Sequence, residues 1–511
     1  MSASCRLAAL VITMATLAPV TALAMDDYVA ASSSAPTGIK LCGNTDGDRI
    51  KTATCKQAGY DKLVAQIDKA FNAALAKTPA NIRPLLKRDQ AWFNEVSIEA
   101  ADSVPQSDDF DEKEGFGESL AQRVTALEGI AGSFGRPGFT GKWVNAFGSV
   151  VVTSAENGAY RLSADMRAVY GTGSDGRREC KLSAVVKPSS GGWLGGPVLP
   201  DEAKPAAAAD DKSANAEPKK PPTIKIRRQG ETLRVVVTEQ EWNDDARPNC
   251  QYMWQVTASY FASGRPDQAA SDKADTTFVA PTFDCTRPET ASDEEICADP
   301  DMAENDQRLN RAWKALLPRL DEATRRALME DQRNWVRTQA NQYPEFLHPA
   351  WEKQTSQMHF TALARDRLDG LQRERIALLE GFDDKRSGLA GVWLAYNAVI
   401  KVTANEDGSL TAQGWKWDQG DWKAGCDYDM KGKVVGGIFR SADKGKSPDT
   451  LERDHAMLIV NRLDDVFAKK RGDESIDEMK CKRRMDNSST ARLFPARPSP
   501  DIDNLGGASI R

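Results

Sequence analysis

The sequence predicts an α+β protein made of two repeats, each a small disulfide-stapled helical bundle followed by a small antiparallel β-barrel or sandwich unit. Two cysteine pairs, Cys42/Cys55 and Cys285/Cys297, have nearly equal spacing, and matching apolar positions follow each pair. Two Gly-x-Trp segments then begin alternating apolar runs. Corresponding features recur after about 245 residues, which is the sign of an internal repeat.

Residues 1–24 predict a secretory signal peptide. Arg6 precedes a short apolar run that ends in small residues at Ala24. The run is too short for a membrane-spanning helix, and no cysteine follows the expected cleavage point. We therefore expect a periplasmic or secreted protein with no lipid anchor, no transmembrane helix and no membrane insertion.

Eight cysteines remain after the signal peptide, and an even number in an oxidising compartment indicates disulfide bonds. The repeat selects one set of pairs, because each cysteine of one half has a counterpart in the other. A redox role for the closely spaced pairs is disfavoured, since thiol exchange favours Cys-x-x-Cys spacing. The predicted bonds are Cys42–Cys55, Cys180–Cys250, Cys285–Cys297 and Cys426–Cys481.

Helical units are predicted at residues 39–135 and 281–381. In the second unit, Asp299-Pro300 combines a helix N-cap with proline in the first turn. Apolar residues then recur at helical spacing over three helices that start near residues 299, 322 and 356. The residues predicted to face inward are Met302, Leu309, Ala312, Trp313, Leu316, Leu317, Ala327, Leu328, Trp335, Val336, Phe360, Leu363, Leu371, Ile376 and Leu379.

The β units are predicted at residues 137–265 and 387–497. Each has a Gly-x-Trp start, an alternating apolar run, a turn and further strand-like runs. Three kinds of segment lack a core-forming pattern and are expected outside the folded units. They are the acidic loop 102–118 before a short helix at 120–130, the disordered insertion 195–223, and the loose tails 25–38 and 498–511.

The segment Phe283–Val336 resembles the N-terminal domain of LprI-type lysozyme inhibitors of bacteria. The resemblance rests on the cysteine pair, the "ICADPDM" run, the "LNRAW" helix and the "DQRNW" helix. Residues 41–95 look like a degenerate copy. Many members carry a further cysteine soon after the final tryptophan, whereas "VRTQANQYPEF" follows Trp335 here. The resemblance implies an extracytoplasmic protein that binds and inhibits lysozyme, and the β units are similar in outline to small barrel inhibitor domains.

Two segments admit an alternative interpretation each. Membrane-associated inhibitors insert a Ser-Gly-x-x-Tyr loop into the lysozyme cleft, and Asn157-Gly158-Ala159-Tyr160 is the nearest string; an ordinary hairpin turn is the alternative. Trp415, Trp417 and Trp422 suit either a sugar-binding platform or packing within the barrel wall.

Enzyme and metal chemistry find no support in the sequence, which lacks a nucleophile elbow, a phosphate loop and a dinucleotide fingerprint. The three histidines are scattered without a second ligand at metal spacing. The acidic segments at 44–49 and 102–118 lack EF-hand spacing. Short basic patches in a chain of net charge −6 do not indicate nucleic-acid binding. We expect no enzyme activity, no catalytic residue, no cofactor, no bound metal and no nucleic-acid partner.

The partner expected from the resemblance is a lysozyme or a lysozyme-like muramidase, either a host enzyme or an effector of a competitor. An acidic protein gains association rate toward basic lysozymes. The alternatives are a non-inhibitory envelope scaffold and a peptidoglycan or glycan binder. The acidic start of the second helical unit is the candidate contact surface, with a solvated helix-start loop as the other interpretation. Its residues are Glu289, Asp293, Glu294, Glu295, Asp299 and Asp301.

Overall fold

Helical groups and closed β-barrels alternate along the chain in the computed structural model. It describes residues 41–42, 52–103, 110–167, 179–199, 222–238, 256–264, 274–340, 361–417, 425–442, 449–461 and 490–503. Each of the two barrels has eight strands, and every neighbouring pair is antiparallel. The predicted mixture of helices with small antiparallel barrels is confirmed.

The first helical group is closed by the Cys42–Cys55 disulfide and packs Tyr60 edge-on against Phe116, with ring centroids 5.1 Å apart. The prediction of an acidic loop at 102–118 is wrong over most of that range, because residues 102–103 and 110–118 are helical. Acidic side chains suit the first turns of a helix. The helices are α1 (Thr52–Ala58), α2 (Tyr60–Lys77), α3 (Arg83–Ser103) and α4 (Phe110–Ala131).

The first barrel closes where its last strand pairs with its first, Trp143 opposite Ala262. Residues Gly195–Pro197, expected in a disordered insertion, instead pair with the following strand, and residues 200–221 lie outside the described part. The strands are β1 (Gly141–Val144), β2 (Gly148–Ser154), β3 (Tyr160–Arg167), β4 (Glu179–Pro188), β5 (Leu194–Pro197), β6 (Thr223–Gln229), β7 (Thr232–Thr238) and β8 (Ala258–Ser263).

The second helical group begins with the Cys285–Cys297 disulfide, and Asp299-Pro300 starts its second helix as predicted. Most of the predicted inward residues are buried or half-buried, but Val336 is 50% exposed. Its inward prediction is wrong because the buried stripe runs through Leu328, Asp331 and Trp335, one residue out of phase. The helices are α5 (Ala291–Ala298), α6 (Pro300–Leu316), α7 (Glu322–Ala340) and α8 (Thr361–Glu380).

The second barrel closes between its last strand and its first, Phe494 opposite Leu394. A short helix, α9 (Pro500–Asp503), buries Ile502 and pairs Asp501 with Arg373 at 3.0 Å, so the predicted loose tail starts too early. The strands are β9 (Gly391–Ala395), β10 (Ala398–Ala404), β11 (Leu410–Trp417), β12 (Gly425–Val435), β13 (Ile438–Ser441), β14 (Thr450–Asp454), β15 (Met457–Asn461) and β16 (Thr490–Ala496).

Two of the four predicted disulfides are confirmed, Cys42–Cys55 and Cys285–Cys297. Cys180 is buried and disulfide-bonded. Its expected partner and that of Cys426 lie outside the described residues, as does the predicted signal peptide. The bonds 180–250 and 426–481 therefore stay predictions. In the described part of the chain, no helix is both long enough and apolar enough to cross a membrane.

Candidate functional site

The dipeptide Asp89-Gln90 of α3 joins the first helical group to the first barrel. Asp89 Oδ1 accepts a hydrogen bond from the backbone N–H of Ala146, 2.7 Å away in the β1–β2 hairpin. The other carboxylate oxygen lies 2.8 Å from Arg123 Nη1 of α4, and Gln90 also accepts from Arg123. Burial raises the pKa of Asp89, because the attraction of Arg123 only partly offsets the loss of water.

The second Asp-Gln dipeptide makes the matching contacts in the second half. Asp331 Oδ1 accepts from the backbone N–H of Tyr396 at 2.9 Å, in the β9–β10 hairpin. Its Oδ2 pairs with Arg375 of α8 at 2.6 Å, and Arg375 donates to Gln332. The guanidinium also lies over the ring of Trp335, 6.0 Å from its centroid. The residues that carry the sequence resemblance therefore hold a helix against a barrel.

A buried charge cluster joins the second helical group to the first half of the chain. Glu295 of α5 accepts hydrogen bonds from Arg88 of α3, at 2.9 Å, and from Arg234 of β7. Asp299 accepts from Arg234 and from Arg365 of α8, each at 3.1 Å. All five side chains are buried. Breaking one partner of such a buried pair leaves an uncompensated charge, which costs about 3–5 kcal/mol.

Asp299 uses its two oxygens for different purposes. Oδ1 accepts from the backbone N–H of Asp301 at 3.0 Å and thereby caps α6. Oδ2 accepts hydrogen bonds from both Arg234 and Arg365. Burial disfavours the charged carboxylate, but the positive charges of Arg365 and Arg234 outweigh it. The pKa of Asp299 is consequently lowered below its ordinary value, and the group is charged at neutral pH.

The rim of this junction is partly open to solvent. Asp301 accepts from the indole N–H of Trp193 at 2.9 Å and from Arg227 at 3.1 Å. Arg227 also reaches Glu304 at 2.6 Å. Trp193 lies just before β5 and Arg227 lies on β6, so the β4–β5 end of the first barrel docks on the start of α6.

The six acidic residues proposed from sequence as a contact surface separate into two sets. Glu294, Glu295 and Asp299 are buried, and the last two are held by the arginines described above. Glu289 is exposed, while Asp293 and Asp301 are half-buried. Asp293 also closes a capping box with Thr290. The first barrel therefore already covers much of this acidic surface. The sequence could not show that, because the arginines come from distant segments.

A cavity of about 350 Å³ lies between α4 and the β1–β2 hairpin. Phe93, Arg123, Asn145, Phe147 and Asp165 are among its lining residues. Asn145 Oδ1 accepts from the backbone N–H groups of Phe147 and Gly148, at 2.9 Å and 3.1 Å, and so shapes the hairpin. The cavity adjoins the Asp89 junction, and its size is at the low end of ligand pockets.

Two segments with open interpretations resolve toward structural roles. Trp415 and Trp417 are buried in the core shared by the second barrel and its helices, which supports packing over a sugar platform; Trp422 lies outside the described residues. Asn157 and Gly158 have φ values of 57° and 70° and form the turn between β2 and β3. That geometry is an ordinary hairpin turn. Within the described residues, no group of His, Cys, Asp and Glu is placed to hold a metal ion.

The sequence interpretation missed an exposed apolar hairpin tip on the second barrel. Val434 and Val435 at the end of β12 are 45% and 62% exposed, and the turn Gly436-Gly437 that follows has φ values of 61° and 84°. A Gly-Gly pair between two short apolar runs is a hairpin signal that was available in the sequence. The exposure of the two valines could not be predicted from the sequence, because it depends on where the neighbouring strand β11 begins.

Residues 285–378 match the sequence model of the family described as lysozyme inhibitor LprI. The match covers α5, α6 and α7 and nearly all of α8, including both halves of the Cys285–Cys297 bond and the Asp299 and Asp331 junctions. No curated protein and no solved structure matches the chain. The predicted degenerate copy at residues 41–95 stays a prediction. The second helical group is thus similar to the LprI lysozyme-inhibitor family, and the similarity applies to that part of the chain.

Proposed function

We propose that the protein is a periplasmic or secreted inhibitor of lysozyme-like muramidases. The observation that carries the proposal is the family match over residues 285–378, in which the family-like residues Asp299 and Asp331 are fully engaged in holding the fold. The predicted signal peptide and the acidic net charge of −6 support it, since attraction to basic enzymes speeds association.

We also infer that the chain contains two related units, each a helical group followed by a barrel. Matching contacts support this beyond the Asp-Gln dipeptides. Trp143 and Trp393 each donate an indole hydrogen bond of 2.7 Å to a carbonyl four residues earlier. Arg136 and Arg386 each lie over the corresponding indole ring, 5.4 Å and 4.9 Å from its centroid. With two related units, one unit can stabilise the fold while the other binds the partner.

The buried charge cluster limits where a partner can bind. Glu295 and Asp299 already have arginine partners inside the chain, so a muramidase would meet only the exposed part of the acidic group, Glu289, Asp293 and Asp301. These residues remain candidate contacts at the rim. Exposed charges contribute mainly to association rate and are screened by salt over about 10 Å at 0.1 M.

The test is inhibition of peptidoglycan lysis by a panel of animal-type, invertebrate-type and bacterial muramidases. We expect the mature protein to slow at least one enzyme at micromolar concentration, and binding to be measurable by calorimetry. Protein whose disulfides have been reduced and alkylated serves as the control. If no enzyme on the panel binds, the scaffold alternative replaces the inhibitor proposal. The buried charge cluster that joins the two halves is the observation that favours a scaffold.

A further inference from the structure

The β12–β13 hairpin extends past the end of the neighbouring strand. Gly432 pairs with Leu410, which is the first residue of β11. Beyond Gly432, residues Lys433 to Val435 pair only with β13 in the described structure, with Lys433 opposite Arg440 and Val435 opposite Ile438. On the other side, Phe439 and Arg440 also pair with β14, so only the pair Val435 and Ile438 and the Gly436-Gly437 turn project beyond both neighbouring strands.

The composition of this tip costs stability. Lys433 and Arg440 are like charges directly opposite each other, an arrangement that destabilises an antiparallel pair, and both are exposed. Val434 and Val435 expose apolar surface beside them. An acidic group is also near, since Asp407 lies 3.8 Å from Lys431. Hydrogen bonds from Ser409 lower the pKa of Asp407, and the charges of Lys431 and Lys433 act in the same direction. Fold stability does not account for this combination of residues.

The first barrel shows what a hairpin at this place can do. Its fourth and fifth strands, β4 and β5, occupy the same positions in the barrel order as β12 and β13. Just before β5, Trp193 is buried against α6 and donates to the carboxylate of Asp301. There the hairpin end docks on an acidic surface within the chain. The β12–β13 tip has the corresponding position, and its valines are open to solvent.

We propose that residues Lys433–Arg440 form the element that docks in the substrate cleft of the muramidase, an inference that rests on the proposed function. Glycan-cleaving enzymes place a pair of carboxyl groups in the cleft, about 5–9.5 Å apart. Side chains directly opposite on paired strands have Cβ atoms about 5 Å apart, so the flexible side chains of Lys433 and Arg440 begin close together and can reach two carboxylates at that separation. The valines supply the apolar contact that excludes water.

An anionic membrane surface fits the tip less well. The tip exposes no aromatic side chain of the kind that anchors a protein at a membrane interface, because Phe439 is buried in the barrel core. The chain as a whole is negative, with a net charge of −6, which opposes approach to anionic lipid. A protein cleft lined by carboxylates fits the tip better, because its charges can contact Lys433 and Arg440 at short range and in a specific geometry.

The experiment compares wild type, Val435→Asp, and the double variant Lys433→Glu/Arg440→Glu. Val336→Asp on α7 is the matched control, because that valine is also about half exposed. Binding to an inhibited muramidase is measured with and without a soluble oligomer of N-acetylglucosamine, which occupies the cleft. All variants must keep the wild-type melting temperature and circular dichroism. We expect the two tip variants to bind about tenfold more weakly or worse, as for an anchor residue. We expect V336D to bind like wild type, and the oligomer to compete.

Three outcomes would overturn the proposal. If wild type inhibits but the tip variants inhibit equally, or the oligomer does not compete, the docking element lies elsewhere and the inhibitor function stands. If wild type binds no muramidase, both proposals fail together. If vesicles of phosphatidylglycerol and phosphatidylcholine bind wild type, lose binding in the tip variants, and inhibition is unaffected, the tip is a membrane element.

Discussion

At the scale of single residues, Asp299 shows how one carboxylate can fix both a helix and an interface. One oxygen caps α6 and the other receives two arginines from different parts of the chain. The Asp-Pro dipeptide predicted the cap, because capping is local. The arginines could not be predicted, since Arg234 is 65 residues away and no spacing rule connects a strand of one barrel to the next helical group.

The charge of Asp299 should appear as a pH-dependent contribution to stability. Its pKa is lowered in the folded protein, so its contribution is present above the unfolded pKa near 4 and is lost as pH falls through the lower folded value. Asp299→Asn keeps a capping side chain and removes the charge. We expect the urea midpoint to drop by the equivalent of about 3 kcal/mol at pH 7 and pH 5.

The difference between wild type and D299N should then narrow below about pH 4, as the wild-type carboxylate takes up a proton. Glu322→Gln is the control, because Glu322 belongs to an exposed pair with Arg326 and should contribute less than about 1 kcal/mol. A gap that stays constant down to pH 3 would show that Asp299 acts through its shape and not through its charge.

At the scale of elements, local patterns predicted most of the architecture. Alternation and Gly-x-Trp starts predicted the barrels, and helical spacing predicted α6, α7 and α8 within a few residues. The failures have physical reasons. The apolar side chain of Val336 predicts an inward position, but the buried stripe through Trp335 leaves Val336 outside. The partial burial of the acidic candidate site came from packing between elements, which periodicity does not encode.

The helix-to-hairpin contacts predict which elements open together. Asp331→Ala removes the acceptor for the Tyr396 N–H and leaves Arg375 buried without its carboxylate. We expect a loss of about 3–5 kcal/mol and faster hydrogen exchange in peptides from residues 391–404. Peptides from residues 141–154 of the other barrel are the internal control and should exchange at the wild-type rate. Unchanged exchange in the β9–β10 hairpin would mean that the barrel holds this hairpin without the helix.

At the scale of the whole molecule, the disulfides should follow the two halves and never join them. Cys42–Cys55 and Cys285–Cys297 each close a short segment within one helical group. We expect non-reducing peptide mapping of the mature protein to find 180–250 and 426–481 as well, with no free thiol. Recovery of a 250–426 or 55–285 linked peptide would refute the pairing based on the repeat. If the predicted pairing holds, charge pairs and packing join the two halves and no disulfide does.

The buried charge cluster also has a consequence for synthesis, because its arginines and its carboxylates are made at different times. Arg88 and Arg234 belong to segments made before α5, so a chain that leaves the ribosome or the translocon from its N-terminus has both arginines before Glu295 and Asp299 exist. Until α5 and α6 are made, Arg88 and Arg234 lack the carboxylates of Glu295 and Asp299. Conversely, a fragment limited to residues 285–378 keeps Arg365 but loses the other two. We therefore expect such a fragment to be less stable than the same residues in the full chain, because Glu295 loses both of its arginine partners and Asp299 loses one of two.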